Sequence, residues 1–139
     1  MSYYCNCVYS DLLIPTEAVD MAVTLIRDEK HPGRCDATYL TQPGAEKWPD
    51  NIKKLYGLLD EWGVYHDTLP PKGTDIPISW DYDRWGAEDE EFFDAIAPVV
   101  RDGGVIAFSG EDGLIWRYRY HDGKVFKETI DFKSHGGWV

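Results

Sequence analysis

The chain has 139 residues, 43% of them hydrophobic and 14% aromatic, which fits one domain with a single core over residues 1–139 and is too apolar for a disordered chain. A total of 25 acids against 14 bases leaves a formal charge of -11; this repels DNA, RNA and anionic membranes, attracts basic surfaces, and argues against direct nucleic-acid binding. No apolar run reaches the length of a membrane span, the start Met1-Ser2-Tyr3-Tyr4-Cys5-Asn6-Cys7 lacks the basic and apolar blocks of a signal peptide, and three cysteines cannot all pair internally, so a cytoplasmic protein with reduced thiols is expected.

Alternating aromatic and polar residues from Tyr3 to Tyr9 predict a first strand. Pro15-Thr16 opens a helix, with Thr16 as N-cap, Glu17 and Asp20 at its positive end and Arg27 and Lys30 at its negative end. Ala18, Met21, Ala22, Leu25 and Ile26 recur at helical spacing and form its expected buried face, and His31-Pro32-Gly33 stops it. Ala37 to Thr41 reads as a short strand broken by Pro43-Gly44. Asp50 is the expected N-cap of a second helix, with the stripe Ile52, Leu55, Leu58, Leu59 and Trp62 and a stop at Gly63. Asp67 to Pro77, with Pro70, Pro71, Gly73 and Pro77, reads as a loop.

A third helix is expected from Ala87 to Val100, with Pro98 kinking it or ending it early and Asp102-Gly103-Gly104 closing it. The C-terminal third has the strongest pattern. Val105 to Ser109 is a strand, and Gly110-Glu111-Asp112-Gly113 is a turn. Leu114 to His121 alternates, placing Leu114, Trp116, Tyr118 and Tyr120 on one face and Ile115, Arg117, Arg119 and His121 on the other. Asp122-Gly123 is a two-residue hairpin signal, and Lys124 to Phe132 returns. The fold expected is α+β: an antiparallel sheet ending in a three-stranded meander, with two to three helices packed on one face.

The strongest chemical signal is acidic. Asp75, Asp81, Asp83, Glu88, Asp89, Glu90, Glu91 and Asp94 fall in one stretch, with Arg84 as its single base and Trp80, Tyr82 and Trp85 interleaved. Acids near a helix start are favoured by its dipole and are often merely solvated. Acids mixed with aromatics also make a docking surface, in which charge steers and aromatics anchor. The expected partner-binding set is therefore Trp80, Asp81, Asp83, Trp85, Glu88, Asp89, Glu90 and Glu91.

Other constellations carry weaker chemistry. Asp81, Asp83, Gly86 and Asp89 match positions of a calcium loop, but Trp85 and Phe92 occupy its fifth and twelfth positions, where oxygen ligands belong. Cys5 and Cys7 lie on one face of a strand and could join His31 and Cys35 around zinc, at a spacing that matches no standard signature. His66-Asp67-Thr68 is one His-x-Thr motif; neither His121-Asp122-Gly123 nor His135-Gly136-Gly137 supplies the second that a two-histidine phosphodiesterase needs. Arg117, Arg119 and His121 share one strand face, which is either the solvent side of the meander or an anion pocket for a nucleotide-sized ligand. No nucleophile elbow, phosphate loop or dinucleotide fingerprint occurs, so no catalytic residue and no cofactor are expected.

Gly110-Glu111-Asp112, Trp116-Arg117 and Asp122-Gly123-Lys124 resemble the C-terminal hairpin of small uncharacterised bacterial and phage proteins, which brings no activity and no site residue. In size and charge the whole chain is similar to small acidic inhibitors of phage and mobile-element origin, the anti-CRISPR proteins and nuclease immunity proteins. That resemblance implies a protein that binds and inhibits or neutralises a partner with a basic, nucleic-acid-handling surface. The alternatives are a small-ligand or nucleotide binder using Arg117 and Arg119, possibly enzymatic, and a metal binder using Cys5, Cys7, His31 and Cys35.

Overall fold

The computed structural model describes residues 3–33, 47–64, 75–80 and 84–130. Its frame is a five-stranded antiparallel sheet. The first strand, β1 (Tyr3–Ser10), lies where aromatic and polar residues alternate. A residue of register is inserted at Val8, between the pairs Cys7–Phe108 and Tyr9–Ala107, so the strand bulges there and Val8 turns out to solvent. The other members are β4 (Arg84–Trp85), β5 (Val105–Gly110), β6 (Ile115–His121) and β7 (Lys124–Ile130), in the order β4-β1-β5-β6-β7.

The C-terminal meander forms as its alternation dictates. Trp116, Tyr118 and Tyr120 are buried on one face, while Arg117 and Arg119 lie on the other, paired in register with Glu128 and Phe126. Leu114, expected on the buried face, precedes the strand and is exposed. At the β6–β7 turn Asp122 and Gly123 both take positive φ, 56° and 75°, the pairing that a two-residue hairpin matched to strand twist requires. At the β5–β6 turn the chain passes so close to Tyr3 that a side chain on Gly110 would meet its hydroxyl.

A second, two-stranded sheet pairs β2 (Leu12–Ile14) with β3 (Ile76–Ile78). Neither strand is foreseen from the sequence. Pro77, read as loop, sits inside β3 opposite Leu13, and a two-stranded ribbon tolerates its missing donor. Asp11 locks the junction to β5: its amide donates to the Val105 carbonyl at 3.0 Å, and its carboxylate accepts the Val105 amide at 2.6 Å.

Among the described residues, three helices complete the core. A 3-10 turn (Thr16–Ala18) leads into α1 (Val19–Ile26). The helix therefore starts two residues later than expected, and Thr16 lies in the turn while Ala18 holds the N-cap position. The buried stripe is Val19, Ala22, Val23 and Ile26; Met21 and Leu25 are exposed. This rotation follows from the later start, which moves Val19 and Val23 into the inward row. α2 (Asp50–Trp62) buries Ile52, Leu55, Leu58 and Leu59 as expected and ends at Gly63 in the left-handed conformation, but its N-cap is Pro49, and Asp50, expected as the cap, is its first helical residue. α3 (Ala87–Ala95) ends before Pro98, and Ile96, Ala97, Val99 and Val100 continue burying apolar surface as turns. The core runs from the sheet through Phe92, Phe93 and Phe108 to α1 and α2. No helix among the described residues is long and apolar enough to cross a membrane.

Candidate functional site

The acidic stretch enters the fold at β4 and α3, and its two tryptophans pack against the core. Trp80 is 2% exposed and makes edge contacts with Trp85 and Phe108, at centroid distances of 5.3 and 5.5 Å. Trp85 stacks parallel to Phe93 at 6.0 Å and meets Trp116 edge-on at 5.6 Å. Trp80 is a core residue, which corrects its expected role as an exposed anchor, and Trp85 is partly buried against the core: large aromatics beside charge at a strand-to-helix junction fill the sheet–helix interface. Asp81 and Asp83, with Tyr82, fall outside the described residues.

Most of the acids in this stretch are engaged within the fold. Asp89 caps α3, accepting the Gly86 amide at 2.8 Å. Burial pushes its carboxyl above the ordinary range, against the opposing hydrogen bonds from Gly86 and Trp80. It therefore has a structural role as a cap. Glu90 and Asp94 both face Lys127 of β7. Asp75 makes a two-point contact with Arg101, which holds its carboxyl below the usual range. Glu88 pairs with Lys30 at 2.9 Å, with both side chains more than half exposed. Of the calcium-loop positions among the described residues, Gly86 has extended backbone angles, Asp89 accepts the cap hydrogen bond and Phe92 is fully buried.

The remaining charge converges at one place. Residues 28–31, the exit from α1, close on Asp28. Its carboxylate accepts the His31 amide at 2.7 Å and contacts His31 Nδ1 at 2.9 Å, while its own amide donates to the His31 carbonyl. Burial pushes Asp28 up, but these bonds outweigh it and hold the carboxyl below its ordinary range. The His31 ring is 7% exposed and stacks on Trp62 of α2 at 3.8 Å. The Trp62 indole in turn donates to the carbonyl of Ile26, the last residue of α1, at 2.8 Å. Asp28, Glu29, Glu88 and Glu91, with Lys30, His31 and Trp62, line an open cleft of about 340 Å³ between the α1 exit and the start of α3. Sequence reasoning found Glu88 and Glu91 but missed Asp28 and Glu29, since no local pattern ties residue 28 to residue 91.

The other expected sets separate. Cys5 is buried, and Cys7 points its thiol toward the Tyr9 carbonyl and the Ser79 hydroxyl. Among the described residues no group of three metal-ligating side chains forms, so Cys5, Cys7 and His31 do not make a zinc site, and Cys35 lies outside the described residues. His66-Asp67-Thr68 does too. Arg117 and Arg119 both contact the Glu128 carboxylate, at 2.8 and 3.3 Å, and Arg119 also covers the Phe126 ring at 4.8 Å. His121 faces Asp102. The two arginines considered as an anion pocket thus both direct their Nε–H groups to one carboxylate of the neighbouring strand. Comparison with protein-family models, with curated proteins and with solved structures gives no match.

Proposed function

We propose that this protein is a small acidic docking module that binds and neutralises a basic surface of a nucleic-acid-handling protein, with the Asp28–Glu91 cleft as the focus of the contact. The observation that carries the reading is the convergence of Asp28, Glu29, Glu88 and Glu91 on one concavity, with Lys30 the one lysine or arginine lining it among the described residues. Lys30 is held there by an exposed pair with Glu88, and such pairs are worth about 0–1 kcal/mol. An arginine from a partner can therefore displace Lys30 at little cost and gain a multi-carboxylate environment. The formal charge of -11 adds long-range attraction, which speeds encounter and weakens with salt. By occupying a partner's basic surface the acids take the place of phosphates, which is how an acidic protein opposes nucleic-acid handling without touching nucleic acid.

The test is calorimetric titration with a hexa-arginine peptide at low and high salt. Binding that weakens steeply with salt, is lost in Glu88→Lys/Glu91→Lys, and survives in Arg117→Ala/Arg119→Ala is the expected result. Equal binding by the charge-reversed variant refutes the reading.

A further inference from the structure

Resting on that reading, we propose that His31 makes the cleft a proton-sensitive site: with the ring neutral the cleft accepts a cationic side chain, and with the ring protonated it holds that side chain more weakly.

The geometry supplies each part of this response. The ring lines the cleft and is held on two sides, by Trp62 stacked at 3.8 Å and by the Asp28 carboxylate at Nδ1. An ionised carboxylate only accepts hydrogen bonds, so Asp28 fixes the proton of the neutral ring on Nδ1 and leaves Nε2 as the basic nitrogen. A proton arriving at Nε2 does not disrupt the turn. The charged ring keeps its bond to Asp28, and its stacking on an indole is favourable for a cation. The added charge therefore stays inside the cleft, where it takes over Asp28 and competes with any incoming cation.

The surrounding charges set the direction. Its own turn contributes Asp28, Glu29 and Lys30; α3 contributes Glu88 and Glu91; α2 contributes Glu61, engaged with the Gly33 amide at 3.0 Å. The carboxylates attract either a proton on His31 or a cationic ligand, and Lys30 opposes both. Proton and ligand therefore compete for one electrostatic environment, and by linkage each weakens the other by the same factor. Histidine is the side-chain type whose ordinary charge change falls between pH 5 and 8, which sets the two pH values at which the competition is tested.

Hexa-arginine binding is measured at pH 7.5 and 5.5 in low salt, on the wild type and on His31→Gln. One charge acting across an open cleft is expected to weaken wild-type binding about three- to sixfold at the lower pH, with the step absent from His31→Gln. A second measurement needs no variant. The His31 ring proton is followed by NMR through a pH titration, with and without saturating peptide. Its midpoint is expected to fall by about half a pH unit or more with peptide bound, the same factor read from the other side. An unchanged midpoint, or a pH step retained in His31→Gln, overturns the proposal. Failure of the peptide to bind at pH 7.5 overturns the docking reading itself, and the proposal with it; binding without a pH step overturns the proposal alone.

Discussion

Replacing Tyr120 by phenylalanine removes one oxygen from the core, and the structure fixes what is lost. The Tyr120 hydroxyl donates to the Phe93 carbonyl at 2.7 Å, with Tyr120 1% and Phe93 0% exposed. α3 ends at Ala95, so its last carbonyls lack the usual partners one turn on. The Ile96 amide takes the Phe92 carbonyl, the Ala97 amide takes that of Asp94, and Pro98 has no amide to offer. The Phe93 carbonyl is left to Tyr120, a residue from the far side of the sheet–helix interface. Tyr120→Phe therefore buries an unsatisfied acceptor, at a cost of about 1–3 kcal/mol, or about 3–8 °C in Tm for a chain of this size. Urea unfolding measures it: the midpoint should fall with the slope unchanged. Burial also pushes the Tyr120 phenol far above its ordinary range, with the nearby Tyr118 and Asp94 adding to it. A raised phenol favours the neutral form in the folded state, so its stabilisation is full below about pH 10, where an unfolded tyrosine titrates, and is lost as pH rises beyond that. The variant should thus lose less stability than the wild type between pH 9 and 11. A loss below about 0.5 kcal/mol with an unchanged alkaline limb would mean that the Phe93 carbonyl is not closed by this hydroxyl.

Gly110→Ala places a methyl group on the Tyr3 hydroxyl, which donates to Asp112 at 2.6 Å; the expected loss of about 1–3 kcal/mol should shrink in a Tyr3→Ala background, as a thermal double-mutant cycle reports. Asp89→Asn keeps an acceptor for the Gly86 amide while removing a charge that burial disfavours, so it should fall within about 0.5 kcal/mol of the wild type at pH 7, whereas Asp89→Ala loses the cap and about 1 kcal/mol. Burial raises the Glu128 carboxyl, but Arg117 and then Arg119 hold it below the ordinary range overall. Its stabilisation is therefore present above about pH 4.5 and lost as pH falls. Glu128→Gln should cost about 1 kcal/mol at pH 7 and flatten the acid limb of a stability–pH profile measured by urea unfolding.

Where local pattern alone decides structure, the sequence was legible. The meander, its Asp122-Gly123 turn and the stripe of α2 follow from alternation, turn chemistry and helical spacing, and each formed as expected. The failures lie where tertiary context decides. Leu12–Ile14 and Ile76–Ile78 are three-residue strands that exist only because they pair across 60-odd positions, and nothing local marks them. In α1 the 3-10 entry shifts the inward row onto Val19 and Val23 and turns Met21 out. For the site, the acidic stretch was visible, but composition cannot tell which acids the fold will use. Lys30, Arg101 and Lys127 reach it from elsewhere in the chain, and Trp80 and Trp85 turned inward because the interface between sheet and α3 needed their volume.

That division of the acids bears on function. A carboxylate that caps a helix, holds an arginine or shares a lysine with a second carboxylate has a role within the fold, and its presence says nothing about a partner. Asp75, Asp89, Glu90, Asp94 and Glu128 belong to this class. Glu29 and Glu91 have no such use among the described contacts, and Glu88 holds only an exposed lysine. Like charges crowded on one concavity oppose folding slightly, so the fold gains nothing by gathering them there. Asp28 differs again: it organises its own turn and at the same time orients the one buried histidine of the described residues. The cleft is thus the place where the acidic surplus is both unspent and coupled to a titratable ring, and for that reason the docking reading rests on Glu88 and Glu91 and not on the whole acidic stretch.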